Sequence, residues 1–169
     1  VSVLRSRRVG RGVDWLFSER EVAAVEAALG GWSELPPAVV EADRVAASRP
    51  AVPRDIGPDE LPQEGGLEVD AVAFNKGCYL GQEVMARLHA MGRVRRRLLR
   101  VRGVGALPAA GQALFDGERR VGEVRSVVGD GDGFLALALL TLPLSGDFGP
   151  LALNAGGPAV AVVMNSEQR

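Results

Sequence analysis

Residues 121–142 read VGEVRSVVGDGDGFLALALLTL. Two runs rich in β-branched and other apolar residues, 121–128 and 134–142, flank the glycine-aspartate alternation Gly129 to Gly133, which predicts two strands joined by a wide turn. Working outward, Arg97 to Val104 and Ala113 to Phe115 are further short β-type runs on the upstream side. Asp116-Gly117 after the second is a two-residue hairpin signal. Downstream, Asn154-Ala155-Gly156-Gly157 marks another turn before Pro158 to Met164. Evenly spaced strands with glycine turns predict a small antiparallel β-barrel, with a sandwich as the alternative.

Upstream of Arg93 the character differs. Val1 to Phe17 mixes apolar residues and arginines around Gly10 and Gly12, as in a strand pair. Ser18 with Glu21 three residues on makes a capping box. Val22, Val25 and Leu29 then recur at helical spacing, predicting a helix over 19–29. Pro36-Pro37 opens a second helical segment that Pro50 and Pro53 stop. Residues 49–66 carry four prolines and three glycines, which predicts an extended loop without regular structure. Leu67 to Phe74 alternates as a short strand, and Val84, Leu88 and Met91 give an amphipathic helix from Gly81 to Gly92. The fold class is therefore α+β, with a boundary near Gly92 to Val94 dividing 1–92 from a barrel at 93–169.

Composition bounds the function. The chain has 169 residues, 47% hydrophobic and 24% charged, with a formal net charge of -1, as in a globular protein rather than a disordered tail or a wholly basic domain. No apolar run approaches the ~20 residues that span a bilayer, so no membrane helix is expected. Without a secretory signal at the N-terminus, a cytoplasmic location is the default. One cysteine and one histidine give no zinc-ligand spacing, so any metal cluster must draw ligands from a partner.

The chemically distinctive residues converge. Of 20 basic residues 19 are arginine; the one lysine is Lys76, and the only cysteine, Cys78, and the only tyrosine, Tyr79, lie within three residues of it. Thiols act as thiolates, a form favoured by a nearby ammonium and by the N–H groups of a helix start, and Cys78 has both as candidates. Gly77 and Gly81 permit tight turns and close approach of another molecule. Gln82 and Glu83 fall in the first helical turn, where they cap the helix or bind a ligand. A second reading stands beside this one: small cysteines are common packing residues. His89 reads as a surface or interface residue. Arg93, Arg95, Arg96, Arg97, Arg100 and Arg102 place six arginines in ten residues, as a binding face for a polyanion or as a solvated face balanced by acids.

The segment Lys76-Gly77-Cys78-Tyr79-Leu80-Gly81-Gln82-Glu83 resembles the K-G-C-[YF]-x-G-Q-E signature of the YgfZ-type family, relatives of the aminomethyltransferase (T-protein) of the glycine cleavage system. Arg44-Val45-Ala46-Ala47 with Pro50 resembles the family's R-I-A-x-G-x-P element, and Leu61-Pro62-Gln63-Glu64 its I-P-x-E element. The resemblance implies a partial aminomethyltransferase-like folate-binding fold ahead of the barrel. It also implies tetrahydrofolate as cofactor, Arg44 and Glu64 among the ligand-binding residues, and Cys78 with Lys76 as the working pair. The implied function is support of iron–sulfur enzymes, including those that modify tRNA, with iron–sulfur client proteins as partners. The family also carries a further N-terminal region that completes the folate pocket, so this chain is expected to be the C-terminal part of a longer protein, to bind folate weakly and to self-associate. An aminomethyl or one-carbon transferase is the alternative. Against it, Ala46 stands where aminomethyltransferases carry a folate-holding Glu, so an accessory factor is expected rather than that enzyme. Ser48 replaces the family's usual Gly.

Overall fold

A computed structural model describes residues 2–5, 12–69, 71–92, 94–143, 148–155, 157 and 159–163. The chain divides into two compact units, Val1–Arg49 and Pro50–Arg169. Residues 50–92 thus belong to the unit that holds the barrel.

In the first unit, strands β1 (Ser2–Arg5) and β2 (Val13–Leu16) pair antiparallel with Val3 opposite Trp15, the strand pair expected there. Gly10 lies outside the described residues. The Glu21 carboxylate accepts from the Ser18 N–H at 3.0 Å and from its hydroxyl at 2.9 Å, which fixes the chain's entry into the helix. Residues Glu19–Glu21 form a 3-10 turn, so helix α1 (Val22–Ala28) is shorter than predicted. Helix α2 (Pro37–Ala46) begins at the second proline, whose missing N–H costs nothing in the first turn. Ser48, with φ +56°, then occupies the left-handed region that favours the glycine found in the resembling family.

The second unit closes six antiparallel strands into a barrel. They are β3 (Arg96–Val104), β4 (Ala113–Asp116), β5 (Arg119–Asp130), β6 (Gly133–Thr141), β7 (Leu151–Ala152) and β8 (Ala159–Val163), in the spatial order β3-β6-β5-β4-β7-β8. Pro158 and Met164, expected in the last strand, lie outside the described residues. Phe134, Ala136, Ala138 and Leu140 of β6 pack with Leu99, Val101, Leu114 and Val124 as the interior, each buried leucine contributing about 1.5–3 kcal/mol. Gly103 makes room for the largest of them, because a Cβ there would lie 2.5 Å from the Phe134 ring.

The β5–β6 turn is tighter than predicted. Gly129 and Asp130 remain in the ladder opposite Phe134 and Gly133, leaving Gly131-Asp132 as a two-residue turn with Gly131 at φ +62°. Within β5 the register shifts between Val124 and Ser126, a bulge at Arg125. The extra residue resets the alternation: Val127, not Ser126, packs against the interior, and Arg125 and Ser126 are both free to serve the outer face.

That outer face is buried too. Leu98, Leu137 and Leu139 are each at most 3% exposed, which is why β6 reads as an unbroken apolar run. The segment 50–68 reaches this face and is not the irregular loop expected from its prolines. It folds through a turn closed by Asp55 N–H to the Ala51 carbonyl at 2.7 Å and a 3-10 turn at Pro62–Gly65. Four of its acids then meet the barrel. Asp55 accepts from Ser126 Oγ at 2.5 Å, Glu60 pairs with Arg125 at 2.8 Å, Glu64 takes Arg96 through two bonds of 2.9 Å, and Glu68 meets Arg97 at 3.3 Å.

Burial pushes the Glu60 carboxyl up, but the Gly57 N–H at 2.7 Å and the Arg125 guanidinium outweigh it and hold the group below the usual carboxylate range. A lowered folded value stabilises above the unfolded value, about 4.3, and that stability is lost as pH falls through the folded value. Glu60→Gln is therefore expected to lower the unfolding midpoint at pH 6 and to flatten its decline as pH falls below the unfolded value of about 4.3. Midpoints measured across that range check this; parallel curves for the two proteins would contradict it.

Leu67 to Phe74 is not a strand. Gly66 at φ +71° reverses the chain, and the N–H groups of Leu67 and Ala71 return to the carbonyls of Pro62 and Leu67, so the segment coils as turns. Asp70 lies outside the described residues. Helix α3 (Gln82–Met91) follows, and no helix of the described residues is long and apolar enough to cross a membrane.

Candidate functional site

The motif KGCYLGQE occupies an exposed loop leading into α3. Gly81, at φ +84°, is the residue before the helix, a conformation that side chains other than glycine rarely adopt. Gln82 folds back so that its Oε1 accepts the Tyr79 N–H at 3.2 Å, and the Gln82 N–H donates to the Tyr79 carbonyl at 3.2 Å. Glu83 pairs with Arg87 one turn on at 3.0 Å, with both side chains exposed. Such a pair is worth about 0.3–0.5 kcal/mol. The helix starts four residues after Cys78, further along than the two or three expected from the sequence.

Cys78 is a free, exposed thiol. It is therefore not a sealed packing cysteine. Apart from its own chain neighbours, no atom of the described residues lies within 4 Å of where a side chain on Gly77 would begin, so the approach beside it is open. The Lys76 ammonium sits 4.7 Å from the centroid of the Tyr79 ring, a cation–π contact within the loop. Lys76 and Tyr79 border a cleft of about 470 Å³ whose other walls include Leu61, Leu80, Val84 and Met85. Its lining side chains are apolar apart from the Lys76 ammonium and the Tyr79 hydroxyl, and its size falls within the range of small-molecule sites.

The other sequence-predicted site residues are engaged within the chain. Arg44, in the first unit, is buried; its Nε and Nη2 donate to the two oxygens of Glu41 at 2.9 and 2.8 Å, and Nη1 donates to the Arg49 carbonyl at 2.5 Å. Glu64 is buried with both oxygens on Arg96, one of them also accepting the Leu61 N–H at 3.0 Å. Three of the six clustered arginines meet acids: Arg96 and Arg97 are taken as above and Arg102 pairs with Asp130 at 2.8 Å, while Arg95 is exposed. Arg93 lies outside the described residues. Among the described residues, no group of three His, Cys, Asp or Glu is placed to hold a metal ion.

One contact had no signal in the sequence. The His89 ring stacks on Phe74, with centroids 4.0 Å apart and planes 23° from parallel. Fifteen positions separate the two, and neither lies in the motif.

Comparison with known proteins places this geometry. Residues 95–165 match the family model described as CAF17, C-terminal beta-barrel domain. The chain is 42% identical over 94 residues to the human protein named iron-sulfur cluster assembly factor IBA57, mitochondrial, an alignment covering 52% of this chain and 25% of that protein. It is 37% identical over 75 residues to the tRNA-modifying protein YgfZ of Vibrio vulnificus strain CMCP6, covering 44% of this chain and 23% of that protein. With YgfZ of Aliivibrio fischeri strain MJ11 the identity is 36% over 99 residues, covering 53% and 30%. The chain thus spans between about a quarter and a third of the length of these relatives. Residues 95–165 thus match the C-terminal β-barrel domain of CAF17, and over part of its length the chain is similar to proteins named IBA57 and YgfZ.

Proposed function

We propose that this chain serves in the maintenance of iron–sulfur enzymes, including tRNA-modifying ones, and that Cys78 is its working group. The observation that carries the reading is a free thiol held out on an exposed loop, between glycines that leave its surroundings open, in a chain similar to proteins named for iron–sulfur cluster assembly. In this reading the Cys78 thiol loses its proton to solvent. The thiolate then takes up one coordination position on a cluster that a partner presents and otherwise holds. A thiolate suits that role because it is the soft ligand iron–sulfur clusters use. Lys76 and Tyr79 form one wall of the cleft beside it, where a partner side chain is received. Exposed Leu80 and Val84 on the same rim support association with a partner or a second copy. The test is whether an iron–sulfur enzyme regains activity in cells lacking the native protein when Cys78 is present and fails to when it is serine.

Tetrahydrofolate is the cofactor the family implies. Three positions the resemblance points to do not offer it a ready polar site: Arg44 donates to Glu41 and Arg49, Ala46 has no polar side chain, and the oxygens of Glu64 are on Arg96. No step of the proposed function runs through folate in this chain. Titration calorimetry of the 169-residue chain with tetrahydrofolate is expected to give a dissociation constant no tighter than about 1 mM, some −4 kcal/mol. Micromolar binding would contradict this. A tRNA or other polyanion contact through this cluster would include exposed Arg95, while Arg96, Arg97 and Arg102 already face carboxylates.

A further inference from the structure

We propose that His89 is a positioning residue for the Cys78 loop, an inference that rests on the reading of that loop as the working segment. Phe74 opens the loop and His89 lies in the last turn of α3, so their stack, at 4.0 Å between centroids, closes residues 74–89 into a clasp around the whole motif. Among the described residues, little else secures the first half of this loop. Phe74, Asn75, Lys76, Gly77 and Cys78 are all exposed, so burial does not anchor them. The Lys76–Tyr79 contact is internal to the loop, and the Tyr79–Gln82 bonds tie only its far end to α3.

The helix, by contrast, has a seat. Met85, one turn before His89 and on the same side of the helix, is buried, and Gln63 Nε2 approaches its sulfur at 3.3 Å. A stack between an imidazole on this seated helix and the ring that opens the loop therefore fixes where the loop departs, and with it where the Cys78 thiol is presented. If His89 were simply a polar residue at a helix C-terminus, its removal would leave the loop unchanged. The two readings differ in a measurable way, because an aromatic pair shifts an open–closed equilibrium by about two- to tenfold.

The sequence supplies its own probe. Lys76 is the only lysine, so a lysine-specific endoproteinase cuts this chain at one bond, and that bond lies inside the clasp. With native protein, His89→Ala is expected to raise the cleavage rate about two- to tenfold, and Phe74→Leu to match it. His89→Phe, which preserves a ring, should stay near the native rate, and the double variant His89→Ala with Phe74→Leu should be no faster than either single one. Equal rates for native and His89→Ala protein would overturn the proposal. Should circular dichroism show His89→Ala unfolded, Phe74→Leu decides in the same assay.

Cleavage reads the loop and not the iron–sulfur reading, so the two fail separately. In cells, His89→Phe should retain iron–sulfur support and His89→Ala should lose at least half of it. Equal support from both, despite unequal cleavage, would deny the clasp any part in positioning and overturn the proposal.

Discussion

Cells that carry Cys78→Ser in place of the native residue are expected to lose iron–sulfur enzyme support to the level of cells lacking the protein. The same substitution should leave stability within about 0.5 kcal/mol of the starting value. Both halves follow from exposure. The thiol is free and at the surface, so exchanging sulfur for oxygen creates no cavity and strands no buried partner. Serine's hydroxyl, however, stays protonated near neutral pH and is a poor ligand for iron, so the chemistry is removed while the shape is kept. Activity of an iron–sulfur enzyme, measured beside the unfolding midpoint of the purified variant, checks both. Loss of function with a large fall in midpoint would instead make Cys78 a structural residue.

The largest effect on stability is expected from Asp55→Ala. Asp55 has no exposed surface, accepts the Ala51 N–H at 2.8 Å and the Ser126 hydroxyl at 2.5 Å, and so ties the segment that carries Glu60 and Glu64 to the outer face of the barrel. Its removal takes an acceptor from the part-buried Ala51 N–H and another from the buried Ser126 hydroxyl, each such loss costing about 1–3 kcal/mol, so a loss of about 3 kcal/mol is expected. At a typical urea dependence that moves the midpoint down by about 1–3 M. Ser126→Ala removes one partner only and should cost about 1 kcal/mol. A shift for Asp55→Ala below about 0.5 kcal/mol would mean that the segment is held by its apolar contacts alone.

These two residues also mark what sequence reading can reach. The barrel was legible because its signals are local: strand-forming runs, Asp116-Gly117 and the glycines at 129–133 lie within a few residues of what they specify. The motif was legible because the lone Lys76, Cys78 and Tyr79 fall together. Asp55, Glu60, Glu64 and Glu68 were not. Their partners lie 71, 65, 32 and 29 residues away, and only the closed barrel brings Ser126, Arg125, Arg96 and Arg97 to them. The arginines that suggested a polyanion face were thus in part the missing halves of these pairs.

The bulge at Arg125 was hidden for a related reason. It exists only as a mismatch with β6, and no residue within β5 announces it. Leu67 to Phe74 misled because alternation alone does not make a strand: Gly66 reverses the chain, and the backbone there bonds to itself. Strand β7, with two residues, is too short to leave a pattern.

If the exposed thiol of Cys78 does the work, blocking it chemically removes function without changing the sequence. Because Cys78 is the only cysteine, iodoacetamide added to the native protein modifies one identifiable site, and mass spectrometry reads the fraction modified. Complete modification is expected without denaturant, with support of a client iron–sulfur enzyme in a reconstituted extract falling in proportion to it. Fully alkylated protein that supports the enzyme as well as the untreated protein would show that the Cys78 thiol is not the working group.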